Sequence, residues 1–237
     1  MAAVPILMYH VIARPFPDSP FPGLYVPAAE FAAQMHALAA AGYRAVTLNE
    51  VEAAWLGLGT LPARPIVISF DNGYRTQYSQ ALPVLRRLGW VGDENLQLQG
   101  LPPSEGGLSA AEVRSLLRAG WELDTQGYSH ADLNRLTAAQ LRFQVAGARI
   151  AIRRRYHIEP DWFAYPSGRY DQAVIGAVRR AGYRGATTVS PGWARPRDDR
   201  YRLPRLRVLG GTSPTALLEL LTATRGDPPP PTAYPPY

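Results

Sequence analysis

Ile66-Val67-Ile68-Ser69-Phe70-Asp71-Asn72-Gly73-Tyr74 is the stretch that decides the fold. An apolar run of this length between Pro65 and a glycine turn reads as a buried strand. Its C-terminal tip carries a carboxylate and a carboxamide, at the end of the strand where α/β folds build their sites. Taken locally, Asp71-Asn72-Gly73 has two readings: a turn whose Asp or Asn caps the next helix, or a functional site.

Outward from this strand, strand and helix signals alternate through the chain. Val4 to Tyr9 forms a first strand, and a proline-rich loop runs from Arg14 to Pro27. A helix with Phe31, Met35 and Leu38 on one face follows. Thr47 with Glu50, Ser109 with Glu112, and Thr137 with Gln140 have the spacing of capping boxes, each opening a helix. Tyr74, Tyr78, Ala81, Leu85 and Leu88 recur at helical spacing. Asn95 to Gln99 alternates polar and apolar, as a half-exposed strand would. Further strands are expected at Trp121–Thr125, Trp162–Tyr165, Gly185–Val189 and Arg205–Leu209, and Ser213-Pro214 opens the last helix. Seven or eight such β/α units in one domain point to a parallel barrel or a doubly wound sheet. The domain is expected over residues 1–226, and the proline-rich tail 227–237 is expected to be extended or disordered.

Composition narrows the function classes. The chain has 237 residues, 46% hydrophobic, enough for a full core. No apolar stretch approaches the ~20 residues of a membrane span. The absence of cysteine excludes disulfides and thiolate metal sites. All the basic residues are arginine, and the net charge of +6 favours an anionic partner such as cell-wall polymer, nucleic acid or a membrane surface. No nucleic-acid motif accompanies the charge, so nucleic acid is not an expected partner. Met1-Ala2-Ala3 directly before a strand-like segment reads as a start added to a mature domain, and the expected location is the cell envelope, with cytoplasm left open. Oligomeric state is not legible.

The order of segments resembles the polysaccharide deacetylase (NodB-homology) family of carbohydrate esterases. The matching stretches are Pro5-Ile6-Leu7-Met8-Tyr9-His10, Ile68 to Tyr74, Glu122 to Leu133 with Gln126-Gly127-Tyr128-Ser129-His130 inside it, Phe163-Ala164-Tyr165-Pro166-Ser167-Gly168 and Leu203-Pro204-Arg205. The resemblance implies a distorted (β/α) barrel with about seven parallel strands. It implies hydrolysis of acetyl groups from N-acetylated sugars of peptidoglycan, chitin-like polymer or exopolysaccharide, with a divalent, zinc-type metal as cofactor.

Carried over by residue, the resemblance gives Asp71 as the catalytic base. Asn72, Gln126 and His130 fall on the three metal-ligand positions, which the family fills with one Asp and two His. Only His130 is retained, and a neutral amide binds zinc far more weakly than carboxylate or imidazole. Ala164 stands where the family often has an arginine that orients the base. A late histidine is expected around Arg207 to Gly211, but the four histidines are His10, His36, His130 and His157. His10, Tyr165, Pro166 and Trp193 are candidates for substrate binding. His10 also reads as a replacement ligand or a structural hydrogen-bonding residue, Trp193 also as a packed lid, and Asp124 as a compensating ligand or a turn residue. Two functions follow: a deacetylase with a weakened metal site, or an inactive relative that binds glycan or serves as a scaffold.

Overall fold

The computed structural model describes residues 2–99, 101 and 106–233. Nine strands form one curled sheet: β1 (Val4–Tyr9), β2 (Arg44–Ala45), β3 (Pro65–Asn72), β4 (Asp93–Leu96), β5 (Glu122–Thr125), β6 (Trp162–Ala164), β7 (Gly185–Thr187), β8 (Trp193–Ala194) and β9 (Leu206–Arg207). The main path runs β7-β6-β5-β4-β3-β1-β8, with β2 on β3 and β9 on β1. All pairings are parallel except β1 with β8. A bridge from Thr187 to Leu203 and the β9 pairing with β1 carry residues 203–207 across the gap between β7 and β1. This is the expected distorted barrel.

Among the described residues eight α-helices pack around it: α1 (Ala28–Ala40), α2 (Leu48–Trp55), α3 (Leu82–Arg87), α4 (Ala110–Arg118), α5 (Ala138–Arg142), α6 (Ala148–Tyr156), α7 (Gln172–Arg180) and α8 (Pro214–Ala223). All three capping boxes form, at Thr47, Ser109 and Thr137, and Ser213 accepts from the Ala216 N–H. Two of the helical stretches carry π turns, Gln77–Ala81 before α3 and Phe143–Gly147 between α5 and α6.

Side-chain alternation divides the sheet into two faces. Leu7 and Tyr9 of β1 with Ile66, Ile68 and Phe70 of β3 face outward, and pack against Phe31, Met35, Leu38, Leu85 and Leu217 of the helices. Val4, Ile6 and Val67 face inward and close the bottom of the barrel with Trp162 and Leu203. Strand β4 corrects one expectation. Asp93 and Asn95 face the barrel interior and Glu94 faces outward with Leu96, yet all of Asp93–Leu96 is buried and the half-exposed strand is not seen. Leu96 packs outward beside Val113 and Leu123. The final strand is also shorter than expected, since only Leu206–Arg207 pairs with β1.

The described part of the proline-rich stretch, as far as residue 233, lies against the domain. Tyr170 Oη donates to the Pro231 carbonyl at 2.6 Å, and Arg202 donates to Pro230 at 3.0 Å. Buried Pro230 lies against the barrel wall, so side chains of the domain supply the partners that proline cannot find in a helix or sheet. Residues 234–237 of the tail lie outside the described residues.

Candidate active site

Asp71 ends the buried run of β3 facing the barrel interior, and both its oxygens are taken by hydrogen-bond donors. Arg205 Nη1 lies 2.6 Å from Oδ1 and Nη2 lies 2.8 Å from Oδ2, a two-pronged ion pair shut off from solvent. Asn95 Nδ2 donates to Oδ1 at 2.9 Å, and Gln126 Nε2 donates to Oδ2 at 3.3 Å. Burial alone would push the carboxyl up. The Arg205 charge and hydrogen bonds, with help from Asn95, outweigh it and hold Asp71 below the ordinary carboxylate range. Arg205 is itself fixed by the Thr188 carbonyl at 2.9 Å and Ser69 Oγ at 3.3 Å.

Arg205 thus fixes the orientation of the Asp71 carboxylate from the segment that closes the barrel. Sequence reasoning missed this role, although Leu203-Pro204-Arg205 was among the matching stretches. Gln77 was missed too. Its amide donates to the carbonyls of His10 at 2.9 Å and Asp71 at 2.8 Å, tying the tips of β1 and β3 together from the first π turn.

Above Asp71 opens a cavity of about 550 Å3, whose lining includes His10, Asp71, Asn72, Gln97, Gln126, His130, Arg169 and Arg207. Five expected site residues, His10, Asp71, Asn72, Gln126 and His130, are therefore brought together. Asn72 and Gly73 both have positive φ, 79° and 86°, which swings the chain away at the strand tip. Asn72 Nδ2 donates to Gln97 Oε1 at 2.8 Å. His10 is only 8% exposed, and its Nδ1 has no hydrogen-bond partner, as is also true of Gln126 Oε1. Burial, opposed by Asp71 and assisted by Arg205 and Arg207, pushes the His10 imidazole down to about 4.

Three expected substrate-binding residues are not at the cavity. Tyr165 faces outward with Phe163, stacks on Tyr170 at 4.8 Å and donates to the Tyr201 carbonyl. Pro166 is buried beside it, and Ser167 is the residue of that segment reaching the cavity wall. Trp193 sits at the other end of the barrel in β8, opposite Pro5. Its indole N–H donates to the Leu221 carbonyl, so it is a core residue. Asp124 points to the barrel floor, where Oδ1 accepts from the Asp161 and Trp162 N–H groups at 2.9 and 2.8 Å. It is not a compensating ligand.

The donor set does not fit the zinc-type ion that the resemblance implies. Such an ion is held by imidazole and carboxylate ligands. Here Asn72 and Gln126, with their amide nitrogens on Gln97 and Asp71, have only neutral carbonyl oxygens to present to a metal. The orphaned atoms, His10 Nδ1 and Gln126 Oε1, bring no negative charge. Among the described residues no three His, Cys, Asp or Glu side chains stand close enough together to hold a metal.

Comparison with known proteins agrees with this fold. Residues 59–186 match the family model described as polysaccharide deacetylase. YxkH of Bacillus subtilis, whose name carries a provisional polysaccharide deacetylase assignment, is 29% identical over 215 residues, 91% of this chain and 75% of its own. The poly-β-1,6-N-acetyl-D-glucosamine N-deacetylase of Staphylococcus aureus is 21% identical over 170 residues, 63% of this chain and 56% of its own. The deacetylase PplD of Streptococcus pyogenes, solved with acetate, shares the fold with a TM-score of 0.84 at 23% identity, covering 93% of this chain and 98% of that one. IcaB from Ammonifex degensii gives 0.77 at 20% identity, covering 92% and 97%.

Proposed function

The chain belongs to the polysaccharide deacetylase family, and we propose that it takes N-acetylated cell-wall or exopolysaccharide sugars into the cavity above Asp71 and hydrolyses their acetamide groups weakly. The observation that carries this reading is Asp71 itself, an ionised carboxylate at a strand tip, on the floor of an open cavity whose walls present His10, Gln126 and His130. Such a carboxylate can accept a proton from a water attacking an acetamide carbonyl. Of its four hydrogen bonds, the Gln126 contact at 3.3 Å is the longest and the one a water can displace.

Two features make the reaction slow. A carboxylate held below the ordinary range by a guanidinium is a weak base, because its proton affinity has been lowered. The family is generally metal-dependent, and the residues that would hold the ion are the ones altered here, so the carbonyl loses that polarisation. The proposed substrate lies at the cell envelope, and among the described residues no helix is long and apolar enough to cross a membrane.

The occupied state of both Asp71 oxygens favours a second reading, in which the cavity holds glycan without turning it over. One pair of measurements separates the two. Acetate release from N-acetylglucosamine oligomers that disappears in Asp71→Asn supports hydrolysis. Oligomer binding with no acetate above the Asp71→Asn background, with or without added zinc, nickel or cobalt, leaves the glycan-binding reading in its place.

A further inference from the structure

Three charged side chains line the cavity, Asp71, Arg169 and Arg207, and two are matched by partners. Asp71 is neutralised from below by Arg205, and Arg169 pairs with Asp132. The Arg207 side chain has no hydrogen bond or ion pair among the described residues. It stands two residues beyond Arg205 in β9, in register with Met8 of β1, so strand alternation turns both guanidiniums to the same side of the sheet. Arg205 is spent at the floor, and Arg207 faces the mouth with an open fork.

Met8, Val11, Leu24 and Val189 supply apolar wall to the same cavity. His10, just past the end of β1, lines the same cavity with its Nδ1 buried. A planar guanidinium fork at the mouth of such a cavity is suited to a planar or tetrahedral oxyanion. The chain as a whole carries +6, so approach of a polyanion is also favoured at long range.

We propose that the polysaccharide taken by this cavity is acidic, and that Arg207 receives a carboxylate or phosphate group on the sugar residue. This rests on the reading that the cavity takes N-acetylated polysaccharide, and it adds the charge of that polymer. A neutral polymer of N-acetylglucosamine would leave the Arg207 fork unmatched.

The test is titration calorimetry of the full chain at low salt with three probes. Chitotetraose is neutral, a hyaluronan tetrasaccharide carries carboxylates between its N-acetylglucosamine units, and N-acetylglucosamine 6-phosphate carries a phosphate. The expected result is binding of at least one anionic probe about tenfold or more tighter than chitotetraose, the scale of one charge-assisted contact. The stronger anionic arm identifies carboxylate or phosphate as the natural group. In Arg207→Gln the ratio should fall to about one, and in Arg207→Lys it should fall only in part. Equal binding of neutral and anionic probes, or a ratio unchanged in Arg207→Gln, overturns the proposal while leaving the cavity a glycan site. Binding of none of the three overturns both this proposal and the glycan reading beneath it. Arg207 is exposed on a two-residue strand, so melting curves of both variants should match wild type and exclude misfolding.

Discussion

Arg205 and Asp71, 134 positions apart in the chain, form a two-pronged ion pair with side chains 0% and 1% exposed. Removing one partner strands a buried, uncompensated charge. Arg205→Met or Asp71→Asn should each cost about 3–5 kcal/mol of unfolding free energy. The double variant should cost clearly less than the sum, because it removes both charges together. Urea unfolding of the four proteins measures this, and simple additivity would show that the pair does not act as a unit.

The barrel floor predicts an alkaline loss of stability. Burial pushes up the carboxyls of Asp93 and Asp124, each helped by Glu122, and burial raises Glu122 to about 7. Glu50 and Asp161 add negative charge, while the Leu48, Asn49 and Trp162 N–H groups favour the ionised forms. A carboxyl whose folded value is raised stabilises fully below its unfolded value, and that contribution is lost as pH rises through the folded one. The melting midpoint should therefore fall between about pH 5 and 8, and Asp124→Asn should flatten the fall. Asp71 has the opposite sign, so its contribution is lost only as pH drops below the ordinary carboxylate range. A midpoint flat in wild type from pH 5 to 8 would contradict the shared protonation of the floor.

Much of this architecture was legible in advance, for identifiable reasons. The β3 run and the three capping boxes are local patterns, set by residues within a few positions of one another, and all formed as read. Arg205 was not legible as an orienting residue because its partner is distant and no local spacing links them. Tyr165 and Trp193 failed for another reason. An aromatic residue in a strand or loop has the same pattern whether it lines a cavity or packs in the core, and both of these pack. For β4 the alternation was correctly seen, but a barrel interior can hold polar side chains as solvent does, so period alone gave the wrong face.

Restoring the altered ligands tests whether the mouth keeps inherited geometry. Asn72→Asp with Gln126→His should bind about one zinc per chain by calorimetry, whereas wild type should retain none after dialysis. The new aspartate can reuse the position of Asn72 at the cavity wall, and the new imidazole lies four residues before His130. Absence of zinc binding in the double variant would mean that the strand tip has been reshaped, not merely stripped of donors.

Gly73 is required at that tip. Its φ is 86°, and a Cβ there would meet Leu96 Cδ1 at 2.5 Å. Gly73→Ala should cost at least about 2 kcal/mol, from left-handed strain together with displacement of Leu96. Thermal unfolding reads this directly. A loss below about 0.5 kcal/mol, the ordinary scale for surface changes, would show that Leu96 yields freely.

The closing segment 203–207 gives the molecule an order of assembly. Residues up to β7 can lay down most of the sheet, and the family match also ends there, at residue 186. Yet the countercharge for Asp71 arrives only with Arg205, when that segment spans the last gap between β7 and β1. A nascent or clipped chain lacking it would carry a naked anion at its centre, and water would have to enter to solvate it. Completion of the barrel and readiness of the site are therefore one event, and a shortened chain would report its own incompleteness as instability.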